Sequence, residues 1–426
     1  MTTPAASRPF GVNLYGYLTS NVGLGVSARN TLRMLLHNDV PVRTIDLDPG
    51  HGLAGTDATM SLEVAEHAGE GPFAVNLFHL NPDRLRFMIS PWEKTMDLPG
   101  RLNVCVPFWE APRLPRAWLP TLSAMDLILA PSGFIRDAVV ADLPDVPVVH
   151  YLQTAVLPEG VRADRKRSGI PEGTVAFATS FAIASDIERK NPWATIEAFD
   201  RAFGSDSRAL LIVKVNNPSG HMTSGATIAR LHALCADRAN IRLVTEPLSY
   251  PEVLGLYASC DVIVSLHRSE GLGLSLLEGM GLGKPVVGTA WSGNMDFMTP
   301  GNSVPVPYRL VDIDVPRSSP YHPRNLGVQT RWADADVDAA AEWMARLADD
   351  AELRERLGAA GMAAAEGTRK SFLSGAVLPH LADELARSRR SGRLERFKSL
   401  RRTQPGDYLA YWVHGAARRG LRLSGR

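Results

Sequence analysis

Several protein classes are excluded by what this chain lacks. No apolar run approaches the ~20 residues that a membrane-spanning helix needs. The opening "MTTPAASRPF" has neither a basic n-region nor an apolar h-region, so no secretory signal is expected. Cysteine is scarce: Cys105, Cys235 and Cys260 lie in apolar segments without C-x-x-C spacing. That pattern excludes a disulfide framework and reads as buried thiols in a reducing compartment, the cytoplasm. No clustered His/Cys set has structural-zinc spacing. Neither sign of charge is in excess, and a formal net charge of +1 gives no global pull toward nucleic acid or a membrane. With 45% hydrophobic against 21% charged residues, the composition is that of a soluble globular protein, not a disordered or fibrous one.

At 426 residues the chain is long for a single core, so two domains are expected. Short β-branched runs alternate with amphipathic stretches. The first series is "FGVNLYGYL", "VPVRTIDLD", "FAVNLFHL", "RLNVCVPFW", "MDLILAPS" and "VPVVHYL"; the second is "TVAFATSF", "RALLIVKVN", "NIRLVTEPL", "CDVIVSLH" and "KPVVGTAW". Near-continuous apolar strands separated by helices predict parallel sheets covered on both faces. The fold class is therefore α/β, with two Rossmann-like domains facing a central cleft. The boundaries are 1–156, 157–370 and a third part, 371–426, of helices crossing back plus a basic tail. The polar segment 157–173 is the linker. Ligands of open α/β sheets bind at the carboxyl ends of the strands, which puts the site in the cleft.

The most informative stretch is "SEGLGLSLLEGMGLGKPVVGT" (269–289), directly after the strand "CDVIVSLH". Glu270 falls in the turn after the strand, and Glu278 about two turns into the next helix. The glycines remove side chains where a ligand approaches the backbone, and the first N–H groups of the helix favour an anion. Carboxylates at both ends add acceptors for hydroxyls. Phosphate in the middle and hydroxyls at either end describe a sugar nucleotide. The plainer reading makes Glu270 a neighbour of a helix start, favoured by the macrodipole, and Glu278 a solvated residue.

This stretch resembles the E-x7-E segment of the retaining GT-B glycosyltransferases of family 4. The resemblance extends upstream through "LSYPEVLGLYASCDVIVSLH" and downstream through "WSGNMDFM", and "ERKNPWATIEAFDRAF" looks like the family's basic segment. It implies a GT-B fold and transfer of a hexose from a nucleotide sugar to an acceptor hydroxyl with retention. Glu270 would contact the donor sugar, Glu278 the ribose, and the amides of Gly271, Leu272, Gly273 and Leu274 the sugar and diphosphate. The backbone around Leu248 would receive the base. Lys190 falls on the family's diphosphate lysine; the usual arginine six residues earlier is replaced by Ala184. Arg189, or Lys214 closing "LLIVKV" and pointing to the cleft mouth, would supply the missing charge. Such a positive pair does the work of a metal, so no metal and no other cofactor is expected. The "RKNP" form resembles mannosyl-transferring members, which puts GDP-mannose first and UDP-glucose second. The acceptor would be a saccharide or glycolipid.

Other motifs compete. Gly23 and Gly25 with Ala28 spell G-x-G-x-x-A after a strand, with Asp46 and Asp48 about twenty residues on, the layout of an NAD-dependent oxidoreductase. "YLTSNV" makes that turn longer than an NAD site permits, whereas the resemblance implies a glycine loop facing donor phosphates and acceptor. Asp46-Leu-Asp48 and Asp312-Ile-Asp314 spell D-x-D, in neither case within the fold that uses it for metal. A third reading is a sugar-nucleotide-binding protein with a degenerate site, against which Lys190, Glu270 and Glu278 occur together. Trp109, Glu110 and His79 close strands on the first domain and are acceptor-side candidates; Glu110 and His79 also read as structural residues. Asp296 is a sugar contact or a loop brace. From Ser388 to Arg426 eleven Arg or Lys face only Glu395 and Asp407. With Tyr408, Tyr411 and Trp412, this tail is expected to dock on the acidic remainder, with occasional peripheral membrane contact. Oligomeric state is left open.

Overall fold

The computed structural model describes residues 8–48, 56–88, 100–216 and 224–388. The basic tail lies outside the described residues.

Two six-stranded parallel sheets organise the chain. The first contains β1 (Val12–Gly16), β2 (Val42–Asp46), β3 (Val75–His79), β4 (Leu102–Cys105), β5 (Leu127–Ala130) and β6 (Val148–His150), in the order β2-β1-β3-β4-β5-β6. The second contains β7 (Val175–Ala182), β8 (Ala209–Asn216), β9 (Ile241–Val244), β10 (Val262–Ser265), β11 (Val286–Thr289) and β12 (Val304–Val306), in the order β12-β11-β10-β7-β8-β9. The eleven apolar runs of the sequence are β1 to β11. Every residue of β1, β3, β4, β5 and β11 is buried, as strands covered by helices on both faces require.

Register in the first sheet is pinned by a polar ladder at the ends of the strands away from the site. Asn13, Asn76 and Asn103 stand side by side on β1, β3 and β4. Asn13 Nδ2 donates to Asn76 Oδ1 at 2.9 Å, and Asn76 Nδ2 to Asn103 Oδ1 at 3.0 Å. A slip of one residue would bury these amides unpaired, at a cost of about 1–3 kcal/mol each.

The second sheet reverses its strand order between β7 and β10, the first between β1 and β3. Each reversal opens a crevice above the carboxyl ends of the strands. The segments after β7 and β10 carry Lys190 and Glu270; those after β1 and β3 carry the Gly23/Gly25 loop and Leu80.

One strand pairing, besides the short edge strand β12, was not among the eleven runs. A hairpin stem, β13 (Tyr308–Asp312) antiparallel to β14 (Arg331–Ala335), carries an arm whose Ile313, Val315, Tyr321 and Leu326 sit in the first sheet's core with Trp109, Trp118 and Ile128. The helix Ala351–Leu373, about 34 Å long, starts in the second core at Leu353 and Leu357 and ends in the first at Phe372. The helix Leu378–Ser388 follows it onto the first sheet through Leu381. Among the described residues no helix is long and apolar enough to cross a membrane.

Candidate active site

Glu270 leaves β10 five residues after Ser265 and precedes the helix Leu274–Gly281. Gly273 caps that helix with φ +89°, a left-handed conformation that glycine adopts without strain. The loop is locked against the next one. Glu270 N donates to Ser292 Oγ at 2.7 Å, and Gly293 N donates to Glu270 O at 2.9 Å. Ser292 holds φ +79° to do this, a strained conformation of the kind that clusters at functional sites. A Cβ on Gly293 would stand 2.2 Å from the Gly271 carbonyl oxygen, so no other residue fits there.

The Glu270 carboxylate is buried between two cations from the segment after β7. Lys190 Nζ is 2.5 Å from Oε1, and Arg189 Nη1 is 3.3 Å from Oε2. Burial alone would raise this carboxyl; Lys190 first, then Arg189, outweigh it and hold it at about 2. Arg189 is itself buried. It donates to Ser269 O and Ser185 O, both at 2.8 Å, and lies 3.6 Å from Glu110 Oε1 of the first domain. Burial opposes its charge, but Glu110 leads the neighbours that more than offset this, so the guanidinium stays charged. Lys190 is the more exposed of the two and carries the charge open to a ligand.

Glu278 lies inside the helix, 4% exposed, and accepts from Tyr250 Oη at 2.9 Å. Burial pushes its carboxyl up to about 8, which the Tyr250 hydrogen bond only partly offsets. It is not a solvated residue. Leu248, at the opening of this corner, offers its carbonyl to Asn21 Nδ2 of the first domain at 3.2 Å. Further contacts between the halves touch the site directly. Ser132 Oγ donates to Gly271 O at 2.6 Å, and Gly133 N, heading the helix Gly133–Asp142, donates to Asp296 Oδ2 at 2.7 Å. His150 Nε2 lies 3.0 Å from the same oxygen. Asp296 is thus a brace between the two halves.

Two sequence expectations, for Lys214 and Trp109, change on side-chain direction, and of the two readings of His79 the geometry fits the structural one. Lys214 does not point to the cleft mouth: it is fully buried, and its Nζ donates to Val215 O at 2.8 Å and Glu246 O at 2.9 Å. Burial pulls its pKa down to about 8. β8 continues two residues past it to Asn216, so Lys214 sits within the strand and not at its end. His79 is fully buried against Phe108, with Nε2 3.3 Å from Ser27 Oγ, and burial drives its pKa to about 3. It is a neutral core histidine. Trp109 is not open to an acceptor either, being packed between Trp118 and Tyr321. Glu110 remains at the junction with Arg189 and accepts from Tyr321 Oη at 2.7 Å. Tyr250 and Tyr321 are the residues that sequence reasoning passed over; Tyr250 stood within "LSYPEV", whereas nothing local marks Tyr321.

The glycine loop of the first domain is braced from below. Asp46 accepts from Leu18 N at 3.0 Å and from Thr19 Oγ1, and Asp48 accepts from Ser20 Oγ at 3.0 Å. Arg29, ion-paired with Asp57, donates to Leu18 O and Ser20 O. The acidic pair that would grip an NAD ribose is therefore engaged with its own loop. Among the described residues no three His, Cys, Asp or Glu side chains group as metal ligands.

Residues 182–306 match the family model for glycosyl transferases group 1. No curated protein matches the chain. Among solved structures, sucrose-phosphate synthase from Thermosynechococcus elongatus is similar at 12% identity and TM-score 0.60, over 89% of this chain and 100% of that one. Anabaena HepE, solved with UDP and glucose, is similar at 10% identity and TM-score 0.57, over 88% and 100%. The pneumococcal O-GlcNAc transferase GtfA, solved with UDP and GlcNAc, is a longer protein. This chain covers 57% of it with 73% of its own length, at 15% identity and TM-score 0.47. The architecture is that of the GT-B glycosyltransferases, and the segment matched by the group 1 model is the one that carries Lys190, Glu270 and Glu278.

Proposed function

We propose that this protein is a retaining, metal-independent hexosyltransferase that moves a sugar from a nucleoside diphosphate donor to a hydroxyl of a saccharide or glycolipid. One observation carries the reading: an ionised Glu270, held between Lys190 and Arg189, stands at the switch point of the second sheet, immediately before a glycine-headed helix. A donor diphosphate in that crevice meets the Lys190 ammonium and the helix amides, which stabilise the leaving group as charge develops on it. Glu270 accepts from the sugar hydroxyls, and Glu278 with Tyr250 meets the ribose. Attack and departure share one face through an oxocarbenium-like transition state. The leaving phosphate takes the acceptor's proton, and the chain supplies positioning and charge.

GDP-mannose leads as donor on the "RKNP" segment, with UDP-glucose next; the UDP complex of the Anabaena structure keeps the second in play. A thermal-shift panel of GDP, UDP, ADP and NAD tests the class. A ligand at 100 times its Kd adds about 2.7 kcal/mol to native stability. Stabilisation by a nucleoside diphosphate, followed by its release from the matching sugar donor when acceptor is added, is expected. Stabilisation by NAD alone would return the oxidoreductase reading, and tight binding without turnover the non-catalytic one.

A further inference from the structure

The arm between β13 and β14 reaches the edge of the site. Arg116 of the first domain donates to Gly327 O at 3.2 Å, and Ser319 Oγ donates to Asp186 Oδ2 of the second at 2.7 Å, so the tip is held from both sides. Tyr321, 4% exposed, lies between them. Its ring stacks on Trp109 with centroids 4.9 Å apart and planes 25° apart. Its hydroxyl donates to Glu110 Oε2 at 2.7 Å. The other oxygen of Glu110 is 3.6 Å from Arg189 Nη2, and Arg189 Nη1 is 3.3 Å from Glu270 Oε2. Four side chains from four separate stretches of chain form one line that ends on the carboxylate assigned to the donor sugar.

Building on the transferase reading, we infer that Tyr321 is a positioning residue for that reaction. Its hydroxyl fixes the rotamer of Glu110, Glu110 fixes the guanidinium of Arg189, and Arg189 sets the plane of Glu270. The physical need is specific. A carboxylate flanked by two cations has several near-equivalent orientations, and reacting groups must be held to a fraction of an ångström for full rate. The Trp109 stack fixes the phenol ring, and the arm's apolar tip fixes the stack. No residue of this line beyond Glu270 has to touch substrate for the effect to operate. The arm also gives the acidic residue at position 110 a second partner: it accepts from the Tyr321 hydroxyl and ion-pairs with Arg189.

Tyr321→Phe keeps the ring and its stack and removes only the hydroxyl. Turnover is expected to fall about tenfold, while the Kd for the nucleoside diphosphate, measured by calorimetry, and KM for the donor stay within about twofold. Glu110→Gln should reproduce the split. The double variant should lose no more than the worse single variant, because both act through Arg189. A Tyr321→Phe variant with full turnover, or one whose only change is a lower melting temperature, overturns the inference. A double variant whose loss equals the product of the single losses does so too. If Tyr321→Phe fails to fold, full turnover in Glu110→Gln decides against it. A parent protein that releases no nucleoside diphosphate from any donor overturns the transferase reading itself and takes the inference with it, whereas an active parent with unaffected variants overturns the inference alone.

Discussion

Lys190 Nζ lies 2.5 Å from Glu270 Oε1, across 80 positions of sequence and the reversal of strand order between β7 and β10. The pair is the nearest approach of opposite charges at the crevice. On the proposed reading, a donor diphosphate entering there would share Lys190 with the carboxylate.

Glu270→Gln preserves shape and removes that charge. Turnover is expected to fall by about two orders of magnitude or more, with the diphosphate Kd changed little or slightly improved as Lys190 is freed. Calorimetry with the nucleoside diphosphate beside steady-state kinetics checks the split. Full activity would remove Glu270 from the site.

Lys190→Ala should weaken diphosphate affinity and turnover together, since it deletes the more exposed of the two cations paired with Glu270. EDTA should leave parental activity intact. An enzyme silenced by chelator and revived by magnesium or manganese would contradict the assignment of charge neutralisation to Lys190 and the helix amides.

Glu278 gives a pH signature. Its folded pKa of about 8 lies above its ordinary 4.5, so the native state holds a proton that the unfolded chain releases. Stability from this group is therefore greatest at low pH and declines as pH rises from 4.5 through 8. Glu278→Gln, which mimics the protonated form, should flatten that decline and be the more stable variant above pH 8. Glu270 works in the opposite sense: with a folded pKa near 2, its contribution is present above 4.5 and fades as pH falls toward 2. Melting curves of both variants between pH 3 and 9 separate the two. Glu278→Ala should in addition weaken nucleotide binding by roughly 1–3 kcal/mol.

The basic tail is tested by truncation after Arg387. If it docks on the acidic remainder, truncation lowers the melting temperature in low salt and less so in high salt, where surface charges are screened. An unchanged melting temperature with loss of sedimentation on anionic vesicles would assign it to the membrane, where each basic residue contributes ~1 kcal/mol.

Composition and pattern alone determined the α/β class and the strands β1 to β11, because a strand buried on both faces must be written almost wholly in apolar residues. The glycine-spaced glutamates were equally visible, and the fold gives those glycines reasons of its own: Gly273 holds φ +89°, and a Cβ on Gly279 would stand 2.8 Å from Ile263 Cγ1. Local pattern could not give direction and long-range pairing. Lys214 reads as a strand-end charge, yet the strand runs on to Asn216 and turns the ammonium onto the Glu246 carbonyl. Asp46 and Asp48 spell motifs for ribose or metal, and the fold spends them on Leu18, Thr19 and Ser20. The hairpin stem escaped notice because β13 is largely solvent-facing, with Arg309 and Asp312 exposed, so it lacks an apolar signature. Tyr321 and Glu110 are 211 positions apart. Only the docking of the arm into the first domain's aromatic core brings the phenol, the two carboxylates and the guanidinium into one line, because that burial is a property of two surfaces meeting and of no single segment.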